Sequence, residues 1–359
     1  MNPVKSPFYV RVTYILLIIV LTLFLLNVGR TLIIPLLFAM FFSVLLLPLA
    51  SLFEKLHLGR TVSAFLSILI FIFVIATVIF FLSQQIVNFS KDIPLLEVKL
   101  TDTFHNIQHW IARNYHINKK EQTDYISKSA SGMLSNAANS VGNIFLSISE
   151  ITLFIVFIII YTFFILFHRQ LLIKFIIALF KEEHHPDVYA VITDIRFVIN
   201  SYITGLLIEM AIVGVAVGVT LTILGIPYAL FIGILVAVLN IIPYIGLYSA
   251  AILAMVITYA DGNGTMVLET IIVLIAVHIL DANVLMPRIV GSRVKMNPFI
   301  TIIAVIIGNL LWGIPGMFLF IPLTGIFKII SERVEGMKPW AILIGEDAKE
   351  TPKSKSKKP

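Results

Sequence analysis

The 359-residue sequence contains no cysteine, which excludes disulfides and thiolate metal sites. Charge is also scarce. Only 13% of the residues are Asp, Glu, Lys or Arg, against about 25% in a soluble globular chain. No stretch reads Gly-x-x-x-x-Gly-Lys-Ser/Thr, so no P-loop is present to bind ATP. Neither Gly-x-Ser-x-Gly nor His-Glu-x-x-His occurs, which argues against an enzyme, and no cofactor is implied. Hydrophobic residues make up 59% of the chain. This is the composition of an all-α polytopic membrane protein, whose first partner is the lipid bilayer. The net charge of +6 is not a nucleic-acid signal, because the basic residues sit in short loops and a tail.

Taken in order, residues 1–82 carry three apolar runs, 12–28, 32–53 and 61–82. Lys5 and Arg11 precede the first run. A second run follows almost at once without a small-residue cleavage site, so the first reads as an uncleaved span. Residues 83–149 are polar and contain no run long enough to cross. Ile93, Leu96, Leu100, Phe104, Ile107 and Ile111 are spaced for amphipathic helices, which predicts a helical insertion outside the membrane. Within it, Trp110 and Tyr115 suit either interfacial anchoring or burial. Residues 150–201 hold a fourth span, 151–167, and then polar helices expected along the cytoplasmic surface. Residues 331–359 end the chain in a lysine-rich tail too polar to fold.

Residues 202–330 repeat one hydrophobic pattern twice. A run long enough to cross, 202–224, is followed by two short runs, 228–242 and 247–260. Pro243-Tyr244-Ile245-Gly246 separates the short runs. The order then recurs. Residues 266–286 are long enough to cross, whereas 298–312 and 317–330 are short and are separated by Gly313-Ile314-Pro315-Gly316. A helix of about 15 residues is roughly 22 Å long, short of the roughly 30 Å hydrocarbon core. Each pair therefore reads as a re-entrant helical hairpin broken at Pro243 and Gly246, or at Gly313, Pro315 and Gly316. Paired interrupted segments in corresponding positions point to a transporter's binding site.

The positive-inside rule favours one orientation. With an inside amino terminus and re-entrant hairpins, Lys5, Arg11, Lys55, Arg60, Arg169, Lys174, Lys181, Arg196, Arg288, Arg293, Lys295 and the basic tail all fall inside. The short outer loops receive only Arg30. The expected fold has six full spans, two hairpins in an inverted repeat and both termini cytoplasmic, in an inner membrane.

Few polar groups lie inside the spans. Glu209 sits within 202–224, and Asp281 near the inner end of 266–286, with His278 three residues earlier on a similar helix face. A carboxylate at such depth costs a few kcal/mol unless it meets protein, water or a partner. Asn240 and Asn309 each precede a break by about one turn, and neither side chain can stay unpaired in hydrocarbon. In one reading Asp281, Glu209, His278, Asn240 and Asn309 form a site for protons, ions or a polar substrate. In the other they only hold helices together by hydrogen bonds. His184 and His185, beside Glu182, Glu183 and Asp187, do not share a helix face and read as a solvated junction, not a metal site.

An ordered set of motifs over about 201–330 sharpens the choice. It comprises Tyr202-Ile203-Thr204-Gly205-Leu206-Leu207-Ile208-Glu209, Gly225-Ile226-Pro227-Tyr228-Ala229-Leu230 and Asn240-Ile241-Ile242-Pro243-Tyr244-Ile245-Gly246. Leu285-Met286-Pro287-Arg288-Ile289-Val290-Gly291, Asn297-Pro298, Gly313-Ile314-Pro315-Gly316 and Pro322 complete it. This set resembles the autoinducer-2 exporter (AI-2E) family of bacterial membrane proteins. The family often carries Gln and Glu where this chain has His278 and Asp281, and Pro where Leu247 follows the first break. The resemblance implies a homo-oligomeric secondary transporter that exports a small polar signalling molecule and draws on the proton gradient. Sodium (lithium)/proton antiport is the alternative. A non-transporting membrane scaffold is the alternative of another class, although a scaffold would need neither buried acids nor matched breaks.

The topology generates the first prediction. Cysteines introduced at Gly262 and Ser292 should react with an impermeant thiol reagent from opposite sides of the membrane, Gly262 from outside. Labelling of both from one side would contradict the topology, because it makes 266–286 the only full crossing between them.

Overall fold

The computed structural model describes residues 7–95, 98–99, 101–103, 105, 113, 151–242, 245–286, 288–289 and 296–345. Most of the insertion, with Trp110 and Tyr115, lies outside the described residues, as do Pro243 and the basic tail. Among the described residues the chain is helical. Seven helices are long and apolar enough to cross a bilayer. In chain order these are α1 (Phe8–Val28), α2 (Arg30–Lys55), α3 (Arg60–Ser90) and α4 (Ile151–Ala178), then α5 (His185–Ile223), α8 and α10. Helix α8 covers Gly264–Leu280 and is prolonged by a π-helical turn, Asp281–Leu285; α10 covers Ile314–Arg333. The shorter helices are α6 (Ala229–Leu239), α7 (Ile245–Asp261), α9 (Pro298–Trp312) and α11 (Lys338–Ile344).

Six of the seven coincide with the expected spans. The seventh, α10, is longer than the short run expected at 317–330. Pro315 falls in its first turn, where a missing N–H costs nothing. The break therefore contracts to Gly313, whose φ of 64° and ψ of −142° lie in a region that glycine occupies without a Cβ clash. At its other end the helix runs on through Glu332 and Arg333.

A second difference concerns the polar segment before residue 202. It is not a separate surface helix from 185 onward. His185–Ile223 is one helix of 39 residues. Pro186 occupies its first turn and the next proline is Pro227, so no proline interrupts it. At 1.5 Å per residue it is roughly 58 Å long, about twice the hydrocarbon thickness. The polar amino-terminal half therefore projects beyond the bilayer.

Helix α5 organises the packing because it takes part in two cores. Ile199, Tyr202 and Ile203 pack with Ile34 and Phe41 of α2, Val305 and Trp312 of α9, and Met317, Leu319 and Ile321 of α10. Val213, Val217 and Leu221 pack with Ile232 and Val236 of α6, Ala254 and Ile257 of α7, and Val273 and Leu274 of α8. A third core joins α2, α3 and α4 through Leu46, Ala64, Ile68 and Leu166. By contrast α1 buries none of its residues, as suits a helix facing lipid. It is held at one end by Trp312, whose indole N–H donates to the carbonyl of Leu26 at 3.1 Å.

Both helix pairs are seated by glycine. A Cβ on Gly233 of α6 would stand 2.7 Å from the Gly214 carbonyl oxygen and 2.8 Å from Gly218 Cα, both on α5. The two backbones touch at Gly214, Gly218 and Gly233, as small residues permit within membranes. Gly308 and Gly316 meet backbone to backbone in the same way, closing α9 onto α10.

Gly233→Ala should therefore destabilise the protein by about 1–3 kcal/mol, the usual cost of overpacking, read as a lower Tm in detergent. Gly264→Ala, with open space around its position, should leave the Tm unchanged. Equal effects from the two substitutions would mean that α5 and α6 do not approach this closely.

Candidate functional site

The buried face of α5 passes through Tyr202, Gly205, Glu209, Val213, Val217 and Leu221, which are three or four residues apart. This is the helical period of one face. Glu209 thus points inward because its apolar neighbours on that stripe do, and only 5% of it is exposed. Asn240 caps the carboxyl end of α6, roughly 18 Å along that helix from Tyr228. Asp281 ends the regular part of α8 and starts its π-helical turn. Such a turn carries an extra residue, shifts the helical register, and is frequent at functional sites. Asp281 is buried, at 6% exposure, whereas Asn283 in the same turn is exposed and donates to the carbonyl of Ile279 at 2.8 Å.

Three helices therefore bring Glu209, Asn240 and Asp281 together. The Asn240 amide nitrogen donates to Glu209 Oε1 at 3.3 Å and to Asp281 Oδ2 at 3.5 Å. Both contacts are long compared with the usual 2.9–3.0 Å. The remaining carboxyl oxygens, Glu209 Oε2 and Asp281 Oδ1, are buried and accept no hydrogen bond from the described residues. Beside the triad lies a small cleft lined by Val213, Val217, Val236, Leu274, Val277 and His278 together with Asn240 and Asp281. Its free space suits roughly one water-sized guest. No lysine or arginine is among its described lining residues.

Not every expected residue joins this group. His278 lines the cleft but is otherwise exposed. Asn309 is exposed on α9 and is not part of the cleft. The cause is its neighbour: Gly308 faces α10, and the next helical residue points about 100° away. Of the hairpin-break residues, Gly246 lies against the carbonyl of Leu239 and closes the turn between α6 and α7. Gly313, Pro315 and Gly316 shape the α9–α10 turn and are absent from the cleft lining. His184 and Glu183, 3.5 Å apart and well exposed, form a solvated pair. The sequence reading passed over the apolar walls of the cleft. Val213 and Leu274 carry the available signal, since they lie four residues after Glu209 and seven before Asp281, on the same helix faces.

A membrane-embedded cleft with two acids and one shared amide is the setting in which the relatives matter. The chain matches the AI-2E family transporter family over residues 14–336. It belongs to that family. It is 27% identical over 351 residues to YrrI of Bacillus subtilis (strain 168), covering 92% of this chain and 96% of YrrI, a protein named for transport. With YueF of the same organism, also named for transport, it shares 25% identity over 307 residues, 83% of each chain. A shorter match, 29% over 133 residues, joins it to the permease PerM of Escherichia coli (strain K12), covering 37% of this chain and 38% of PerM. This AI-2E family member is thus a multi-pass membrane protein of a transporter family.

The triad predicts a measurable coupling. Asn240→Ala removes the one donor that two buried acceptors share, at a cost of about 1–3 kcal/mol. In a double-mutant cycle with Asp281→Asn, the two substitutions should be non-additive by about 0.5–3 kcal/mol, as neighbours are. Asn309→Ala, at an exposed position, should add to Asp281→Asn without coupling. Strict additivity for Asn240 would mean that its amide does not bridge the acids.

Proposed function

We propose that the cleft at Glu209, Asn240 and Asp281 is the substrate and coupling site of a secondary transporter that exports a small polar molecule using the proton gradient. One observation carries the reading: carboxyl groups from two different membrane helices meet at a single amide. Transferring two charges out of water is costly, and no lysine or arginine is among the described residues that line the cleft. The site is therefore electrically balanced only when it takes up protons or cations, and a site of this kind couples their movement to that of a solute. Proton exchange with the acids and hydrogen bonding of a hydroxyl-bearing solute to the Asn240 amide are the two roles assigned.

The contacts at either end of the helix pairs support an inverted arrangement. Tyr228, before α6, touches Asp92, and Ala260 and Gly262, at the end of α7, touch Lys99. The α6–α7 pair thus begins and ends on one side. Asn297, before α9, bonds to Ile344, which follows α10. Arg333, at the end of α10, bonds to Asp194 near the start of α5 at 3.0 Å. The α9–α10 pair thus opens at the other end of α5. Two re-entrant hairpins facing each other across the bilayer satisfy these contacts. In the orientation that the positive-inside rule favours, both termini are cytoplasmic and residues 83–149 lie outside.

A second reading, sodium (lithium)/proton antiport, has its own observation. Glu209 Oε2 and Asp281 Oδ1 are buried oxygens without donors among the described residues, and hard cations take oxygen ligands of this kind.

Everted membrane vesicles test both readings. Asp281→Asn keeps the shape of the side chain and removes its charge, so it should reduce transport at least about tenfold with expression unchanged. Glu209→Gln should reduce it less. A sodium- or lithium-induced pH change that Asp281→Asn abolishes would select the antiport reading. Full activity of Asp281→Asn would remove this cleft from the mechanism.

A further inference from the structure

Helix α11 lies in a segment whose composition predicts no folded structure. It forms because Trp340-Ala341-Ile342-Leu343-Ile344 is an apolar run within that segment, and Pro339 falls in the first turn, where a missing N–H costs nothing. The helix packs on α10. Its two buried side chains, Ala341 and Ile344, are three residues apart and share one face. Trp340, Ile342 and Leu343 are exposed, Ile342 to 81%.

The level of α11 along α10 follows from Gly345. A Cβ built there would stand 3.5 Å from Lys328 Cε. Helix α10 continues past Lys328 to Arg333, a further 7.5 Å or roughly one and a half turns. The chain therefore leaves α10, turns over residues 334–337 and returns alongside it. Arg333, at the far end, bonds to Asp194 in the polar half of α5, which projects beyond the bilayer. The Lys328 ammonium reaches 3.4 Å from Glu332, one turn nearer that end. A lysine at the edge of hydrocarbon sends its charge toward water in this way. Helix α11 thus occupies the depth between hydrocarbon and water.

At the same level the chain meets the start of α9. The Asn297 N–H donates to the Ile344 carbonyl at 2.9 Å, and Met296 pairs with Gly345 in an isolated antiparallel bridge. Asn297 in turn caps α9. Its side-chain oxygen accepts from the Phe299 N–H at 3.0 Å, and its carbonyl accepts from the Thr301 hydroxyl at 3.2 Å. Phe299 and Ile302 of α9 are exposed, as are the apolar side chains of α11. The exposed apolar surface of α9 therefore continues onto α11. Lipid is the occupant that fits such a surface at this depth: amphipathic helices bury an apolar face at the boundary of headgroups and acyl chains, where tryptophan is enriched.

We propose that α11 is an interfacial anchor. Trp340, Ile342 and Leu343 sit among the lipid headgroups and the first carbons of the acyl chains, and the bond from Asn297 to Ile344 fixes the start of α9 at that level. The anchor is separate from the cleft at Glu209, Asn240 and Asp281, and its test involves no solute flux.

The chain has no cysteine of its own, so a single introduced one can carry an environment-sensitive fluorophore. In liposomes containing spin-labelled lipid, the probe on Ile342→Cys should be quenched at least about twofold, and more by a spin label near the headgroup than by one near the end of the acyl chain. A probe on Asp187→Cys, at the exposed start of α5, should be unquenched. One on Ile18→Cys, midway along α1, should be quenched most by the chain-end label. Quenching of the Ile342→Cys probe no greater than that of Asp187→Cys would overturn the anchor. So would blue-shifted emission without quenching, the result expected if a second copy of the chain covers this face. Hydrogen–deuterium exchange reads the tie to α9. Ile342→Asp with Leu343→Asp, both at exposed positions, should speed exchange of the Asn297 N–H at least about fivefold in liposomes. Unchanged exchange, with gel filtration showing intact protein, would overturn the tie.

Discussion

Two acids in helices that cross a bilayer set the terms for the rest of this structure. Neither Glu209 nor Asp281 can face lipid, so α5 and α8 must turn these faces to each other and to something polar. Asn240 provides it, bonding to both carboxyls at once. That single contact requires α6 to end at the level of Glu209, and therefore to stop inside the protein. An eleven-residue helix accomplishes this. It spans roughly half of the hydrocarbon thickness, and the N–H groups of Asn240, Ile241 and Ile242 at its end bond back to the carbonyls of Val236, Val238 and Leu239.

The glycines make the arrangement stable enough to hold the acids. Gly214 and Gly218 on α5 and Gly233 on α6 allow backbone contact, which places the end of α6 beside Glu209 without a side chain to intervene. Apolar packing supplies the surrounding wall: Val213, Val217, Val236 and Leu274 line the cleft and belong to one core. In a membrane, this wall gains little from the exclusion of water and much from close contact. Helix α6 is fixed to α5 by this backbone contact and by the Asn240 amide on Glu209, and α7 joins the same core through Ala250, Ala254 and Ile257.

Much of this was legible in the residues. Run lengths located six spans, since a helix that crosses needs about 20 apolar residues. The positions of Glu209 and Asp281 marked each as a candidate site residue, because acids in apolar runs are costly, but the sequence paired Asp281 with His278, and only the contacts through Asn240 join the two acids. Asn240 was legible from its place one turn before a break. Asn309, in the matching place, was not distinguishable from it, since only the Gly308–Gly316 contact decides which way that part of α9 faces. Helix lengths were read less well where polarity and secondary structure part company. Residues 185–200 are polar yet continue the helix, because polarity does not end a helix and proline does. Residues 314–316 contain Pro and Gly yet begin α10, because proline is accepted in a first turn. Lys99 had no signal at all: a lysine in a polar insertion is ordinary, and its two carbonyl partners lie more than 160 residues away along the chain.

The central claim is that the cleft couples a solute to protons or cations. It is tested most directly with purified protein in liposomes, an imposed pH gradient, and a panel of small polar metabolites with sodium and lithium. The account predicts that at least one panel member moves faster than in empty liposomes, that its direction reverses with the gradient, and that a protonophore abolishes the effect. If no metabolite or cation moves faster than in empty liposomes while the protein remains folded, the buried acids serve only to hold helices together and the account is contradicted.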